Sequence, residues 1–164
     1  MKRKLLLFLL LTALFTPWAA NAQNTITLTG NVTQAIEPNT TYNFYDSGGP
    51  DSNYGTNQSY TATLTCVGDI TINFSQLVTE SSSYCSDYDY MLIYDGDAST
   101  GTLLGRGQTG CSTASLTTGT DYVANSGTMT IEWHSDGTVT AAGWAATITG
   151  GAAPSCPKPT SLFV

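Results

Sequence analysis

Residues 85–97 read CSDYDYMLIYDGD, four aspartates and three tyrosines around the apolar run Met91-Leu92-Ile93. Carboxylates this dense against a strand either converge on a hard cation or form a solvated acidic loop in which Asp95-Gly96 is a plain turn. A hard cation takes about six to eight oxygens. Acids converging without a cation or a base repel one another severely. The local loop by itself does not make a helix–loop–helix calcium site. Asp95, Asp97 and Ser99 mimic its first three ligands, but Thr100 replaces the required glycine and Arg106 the closing glutamate. A second constellation, His134-Ser135-Asp136, offers the residue types of a nucleophilic triad. Neighbours on one strand point to alternate faces, so these three cannot chain nucleophile, base and orienting carboxylate. The sequence holds no G-x-S-x-G, H-E-x-x-H or phosphate-binding loop, and intrinsic catalysis is not expected.

Whatever chemistry the acids do must be positioned by strands, because helix signals are nearly absent beyond the N-terminus. Ile26 and Leu28 alternate with polar residues, as do Leu64 and then Ile70, Ile72 and Phe74 across a Val67-Gly68-Asp69 turn. Met91 and Ile93 alternate in the acidic stretch, Met129, Ile131 and Trp133 in GTMTIEWHS, and Trp144, Ala146 and Ile148 in GWAATIT. DSGGPDSNYG and DGDASTG between them are turn chemistry. Short strands at this spacing, apolar on one face, predict an antiparallel sandwich, with His134 on its polar face.

The chain's surroundings are legible too. Residues 1–22 read as a secretory signal: Lys2, Arg3 and Lys4, then LLLFLLLTALF, then Ala20-Asn21-Ala22 for cleavage. The apolar run is short for a membrane span, and no second one follows. No cysteine stands near the cleavage position to carry a lipid. The mature chain starts at Gln23 and keeps about 142 of 164 residues, enough for one domain with a core. Only Arg106 and Lys158 then face twelve acids, a net charge of −10, which repels nucleic acid and anionic membranes. Cys66, Cys85, Cys111 and Cys156 meet an oxidising compartment, and three pairings are open. With no C-x-x-C and one histidine, a structural zinc site is not expected. Glycosylation sequons begin at Asn31, Asn39, Asn57 and Asn73.

The run E-x(4)-C-x(3)-D-x-M-x-I-Y-D-G over residues 80–96 resembles the central signature of the CUB domain. Other landmarks follow in the family's order: Asn53-Tyr54, Leu103-Leu104-Gly105, Ser126-Gly127, a strand ending in Ser135-Asp136, and Gly143-Trp144-Ala145-Ala146. The resemblance covers residues 40–150, preceded by an N-terminal strand or leader at 23–39, and implies a jelly-roll β-sandwich. The DSGG-x(4)-Y approach to Tyr54 resembles bacterial versions of the domain. GGAAPSCPKPT within 151–164 is a proline-rich linker, and CPKPTSLFV resembles the opening of a fibronectin type III module, so the chain reads as a piece of a larger protein.

Several site expectations come only from this resemblance. It implies one Ca²⁺ held by Glu80, Asp89 and Asp136, with loop carbonyls around Gly137 and Thr138, and with Tyr54 orienting a carboxylate by hydrogen bonding. It implies a Cys85–Cys111 disulfide. The family's other cysteine pair is missing, Tyr60 standing where its first member is common, and this leaves Cys66 and Cys156 as a remaining pair without family precedent. It implies a secreted, noncatalytic recognition module for an extracellular protein. The alternatives are a carbohydrate-binding accessory module, with Tyr84, Tyr88, Tyr90 and Tyr94 as a platform, or a structural spacer beside a secreted hydrolase or protease.

Overall fold

The computed structural model describes residues 24–154 apart from 84, 86 and 87. The signal segment, the CPKPTSLFV tail with Cys156, and Tyr84 lie outside the described residues.

Ten strands follow one another: β1 (Asn24–Thr27), β2 (Val32–Ala35), β3 (Thr41–Tyr45), β4 (Gln58–Thr65), β5 (Ile70–Val78), β6 (Tyr90–Asp95), β7 (Thr102–Gly107), β8 (Asp121–Ala124), β9 (Thr128–Ser135) and β10 (Gly143–Gly150). They form two five-stranded sheets, ordered β1-β3-β10-β5-β8 and β2-β4-β9-β6-β7. The all-β sandwich is the one expected. The antiparallel expectation holds in the middle of both sheets, while β1 pairs parallel with β3 and β2 parallel with β4. Parallel neighbours need a long crossover. The chain supplies it by switching sheets, so β2 lies within the β1–β3 connection and β3 within the β2–β4 connection.

Alternation places the core. Leu64, Ile70, Ile72, Phe74, Met91, Ile93, Met129, Ile131 and Ile148 have no exposed surface, and Trp133 and Trp144 almost none. The Val67-Gly68-Asp69 turn carries the chain from one sheet to the other, so Leu64 and Ile70 meet in the core from opposite sides. Residues 96–101 instead close a hairpin within one sheet, with Gly96 at φ +98° as the left-handed position. At one end the core is aromatic. Trp133 packs edge-on against Trp144 at 4.9 Å and against Tyr54 at 4.9 Å, and Phe44 lies 5.6 Å from Trp144. Among the described residues, no helix is long and apolar enough to cross a membrane.

Candidate metal centre

Strand register assembles the site. β6 pairs with β9 so that Tyr90 faces His134, and the residue before β6, Asp89, therefore reaches Asp136, the residue after β9. Glu80 arrives from the other sheet, two residues past the end of β5. One carboxylate oxygen from each of Glu80, Asp89 and Asp136 lies within 4.8 Å of the others. The three acids expected from the resemblance thus converge, bridging the sheets at the aromatic end of the sandwich.

Tyr54 stands at the centre of the supporting hydrogen bonds. Its ring is buried against Trp133, which leaves the hydroxyl little freedom. That hydroxyl donates to Asp89 Oδ2 and accepts from the Glu80 backbone N–H at 2.9 Å. The other oxygen of Asp89 accepts from Asp136 N–H at 2.8 Å. Asp136 Oδ1 in turn accepts from the N–H of Thr138 at 2.8 Å and from its hydroxyl at 3.2 Å. Burial, and then the hydrogen bond to Asp89, push the Tyr54 hydroxyl well above the usual phenol range, so it stays a donor.

Glu80 is the group left unmatched. Its Oε2 is buried and has no hydrogen-bond partner. Burial, then the negative charges of Asp136 and Asp89, hold its carboxyl above the ordinary range. Arg106 is committed elsewhere. Its guanidinium donates to Gln108 Oε1 at 2.8 and 3.0 Å and to the Cys85 carbonyl, and it lies 4.3 Å from the centre of the Tyr90 ring. Three hard oxygen donors, one of them buried without a partner, fit a hard divalent cation.

The other aspartates of the acidic stretch do different work. Asp95 accepts from the N–H groups of Asn125 and Ser126 at 3.1 and 3.0 Å, and Asp97 accepts from the N–H and hydroxyl of Ser99. Hydrogen bonds from Ser126 and from Ser99 hold their respective carboxyls below the ordinary value. Asp87 lies outside the described residues. In the His134-Ser135-Asp136 run, the Ser135 hydroxyl donates to the Gly55 carbonyl at 2.8 Å and accepts from Gln58 N–H at 3.1 Å. It therefore anchors the loop that carries Tyr54.

Sequence reasoning missed Asp46, which reads there only as turn chemistry. In the structure it is fully buried. Its two oxygens accept from Gly48 N–H and Trp144 N–H at 2.8 Å each, tying the Tyr54 loop to β10. Burial pushes its carboxyl up against the opposing pull of these bonds. Gly143 sits beside it at φ +68°, where a Cβ would lie 1.8 Å from Asp46 Oδ2. The D-S-G-G order signals an Asx turn; its burial under a distant strand has no local signature. Asp46→Asn would set an amide NH₂ against one of two buried N–H donors. It should lower urea-unfolding stability by about 1–3 kcal/mol, and an unchanged midpoint and slope would show that these bonds carry nothing.

The CUB domain family matches residues 36–148 of the chain. The chain belongs to the CUB domain family. CUB domains are typically extracellular, noncatalytic protein-interaction modules. No match is found among curated proteins. Among solved structures, the CUB1-EGF-CUB2 domains of rat MASP-1 are similar at TM-score 0.55 and 19% identity, over 71% of this chain and 42% of that one. The full extracellular region of zebrafish Gpr126/Adgrg6 is similar at TM-score 0.54 and 17% identity, over 72% of this chain and 14% of that one. The MASP-1 CUB2 domain bound to Ca²⁺ is similar at TM-score 0.52 and 17% identity, over 71% of this chain and 97% of that one. The chain thus spans less than half the length of the first two. At these identities the likeness is one of fold.

Proposed function

We propose that this CUB domain is a secreted, noncatalytic recognition module that holds one Ca²⁺ through Glu80, Asp89 and Asp136 and grips an extracellular protein with that end. The observation that carries the reading is the convergence of three carboxylates from three segments, with Glu80 Oε2 buried and unpartnered. Carbonyls around Gly137 and Thr138 and water complete the shell, and Tyr54 orients Asp89 from behind. The Ca²⁺-bound MASP-1 CUB2 structure, similar in fold, supports the same choice of ion. Calorimetric titration with Ca²⁺ tests the site. Saturable heat at one equivalent is expected, and a domain giving no heat, with the same melting temperature in EDTA as in about 5 mM Ca²⁺, would sink it. Immobilised domain should hold protein partners in calcium and release them in EDTA. Retention indifferent to EDTA would detach recognition from this end.

The same reading places the domain outside the cell, after cleavage before Gln23, as one part of a multidomain protein of the bacterial type. It also pairs Cys66 with Cys156. Cys66 has no disulfide partner among the described residues, and its Sγ lies 3.9 Å from the Gly151 carbonyl where the described chain ends its last strand. Cys156 follows five residues later, within about 17 Å of extended chain. Nonreducing peptide mapping should recover a Cys66–Cys156 cross-link; two freely alkylated thiols would refute the pairing.

A further inference from the structure

The outer face of the second sheet carries a feature that the calcium reading leaves unused. Cross-strand register aligns Ser59, His134 and Tyr90 in one row, and Thr61, Glu132 and Leu92 in the next. Between these rows lies a depression of about 180 Å³ whose lining includes Ser59, Thr61, Tyr90, Glu132 and His134, with Tyr60 and Trp133 also bordering it. The imidazole is positioned by stacking. His134 lies 5.2 Å from Tyr90 at an interplanar angle of 31°, and Arg106 covers the same tyrosine at 4.3 Å. Glu132 lies diagonally across the strand pair from Tyr94, whose phenol is raised by burial and then by the nearby Glu132 charge.

We propose that this depression is a subsite for one ring of a neutral saccharide, separate from the calcium end. The chemistry is that of polyol recognition. The Glu132 carboxyl group accepts from adjacent ring hydroxyls, the Ser59 and Thr61 hydroxyls both donate and accept, and imidazole adds a further polar edge. With Tyr90 itself covered by Arg106 and His134, the imidazole backed by Tyr90 offers the flat wall for the C–H face of the ring. Because the stack exists before any ligand arrives, little side-chain entropy remains to be lost on binding. The size suits a single ring, since drug-sized pockets begin at roughly 300 Å³. Charge selects the class. A mature chain of net charge −10 with Glu132 in the depression disfavours uronic, sialylated and sulfated sugars, the Arg106 guanidinium beyond Tyr90 being held by Gln108 and the Cys85 carbonyl. The platform expected at Tyr84, Tyr88, Tyr90 and Tyr94 is thereby narrowed to Tyr90 with His134, a partner no tyrosine count could supply.

The test is an array of neutral, sialylated, uronic-acid and sulfated oligosaccharides probed with the full secreted chain, followed by calorimetry on the neutral sugars retained. Neutral sugars alone should bind, and both Glu132→Gln and His134→Ala should weaken them about tenfold or more. Asp89→Ala should leave sugar affinity within about twofold, and His134→Ala should keep the calcium-dependent rise in melting temperature, which separates this proposal from the calcium reading. Three results overturn it: no neutral sugar bound at about 10 mM, equal retention of anionic sugars, or unchanged affinity in both variants.

Discussion

In Asp89→Ala the melting temperature should cease to rise with calcium, while in Asp97→Ala the rise should persist. Asp89 is fully buried, one of its oxygens takes the Tyr54 hydroxyl, and the other takes Asp136 N–H. It therefore holds both its own position and those of the two groups beside it. Removing it takes away a ligand of the proposed ion and leaves two donors without acceptors. For the wild type, extracellular calcium is about millimolar, so a site with a dissociation constant near 10⁻⁴ M is about tenfold saturated. Linkage then stabilises the fold by about 1.4 kcal/mol, or about 5 °C for a domain of this size. Without calcium, two consequences of Asp89→Ala oppose each other. The orphaned donors destabilise by about 1–3 kcal/mol each, whereas the repulsion that Glu80 feels from Asp89 disappears. The diagnostic quantity is thus the difference between EDTA and calcium, rather than the melting temperature alone. Asp97, whose carboxylate is spent on the Ser99 turn, should leave that difference intact. A calcium-dependent rise surviving in Asp89→Ala would remove this carboxylate from the site.

Why could the long strands and the acids be read from sequence, when the edges and Asp46 could not? β5, β6, β9 and β10 each bury one face against the opposite sheet, so period-two alternation is imposed on them and shows in Ile70-Ile72-Phe74 or Met129-Ile131-Trp133. β2 and β8 are short edge strands, VTQA and DYVA, half exposed along their length. Burial asks little of them, and their sequences carry no matching signal. Tyr42 and Phe44 of β3 are buried and do alternate, although the turn cluster beginning at Asp46 obscures them. The convergence of Glu80, Asp89 and Asp136 rests on register between β6 and β9 and on a crossing between sheets. Composition cannot express either; the resemblance reached those residues through the order of its landmarks. The His134–Tyr90 stack is likewise a matter of register, since the two lie far apart in sequence and meet only because their strands pair.

Replacing Cys85 and Cys111 together by serine should produce the largest loss of stability in the domain. The two cysteines form a disulfide with Cα atoms 5.1 Å apart and a sequence separation of 26. In the chain-entropy model, a closed loop of this size restricts the unfolded state by roughly 3–4 kcal/mol, which corresponds to a fall of about 10–15 °C. The bond also acts on the site. The described residues between Glu80 and Asp89 carry no strand of their own, and contacts to β7 and the chain after it fasten them. Among them are the disulfide, Ser82 N–H to the Thr109 carbonyl at 3.0 Å and Arg106 of β7 to the Cys85 carbonyl, with paired bonds between Thr79 and Thr109 just before the segment. Release of Cys85 leaves Glu80 and Asp89 at the two ends of a looser connection, so calcium must restrain more of the chain when it binds. Calcium affinity should therefore fall along with stability, and reductant should reproduce both effects in the wild type. Thermal melts of the serine double variant within about 2 °C of wild type would show that the fold does not depend on this bond. A large fall in melting temperature with calcium affinity unchanged would confine the disulfide to stability and leave the positioning of Glu80 and Asp89 to the hydrogen bonds through Tyr54.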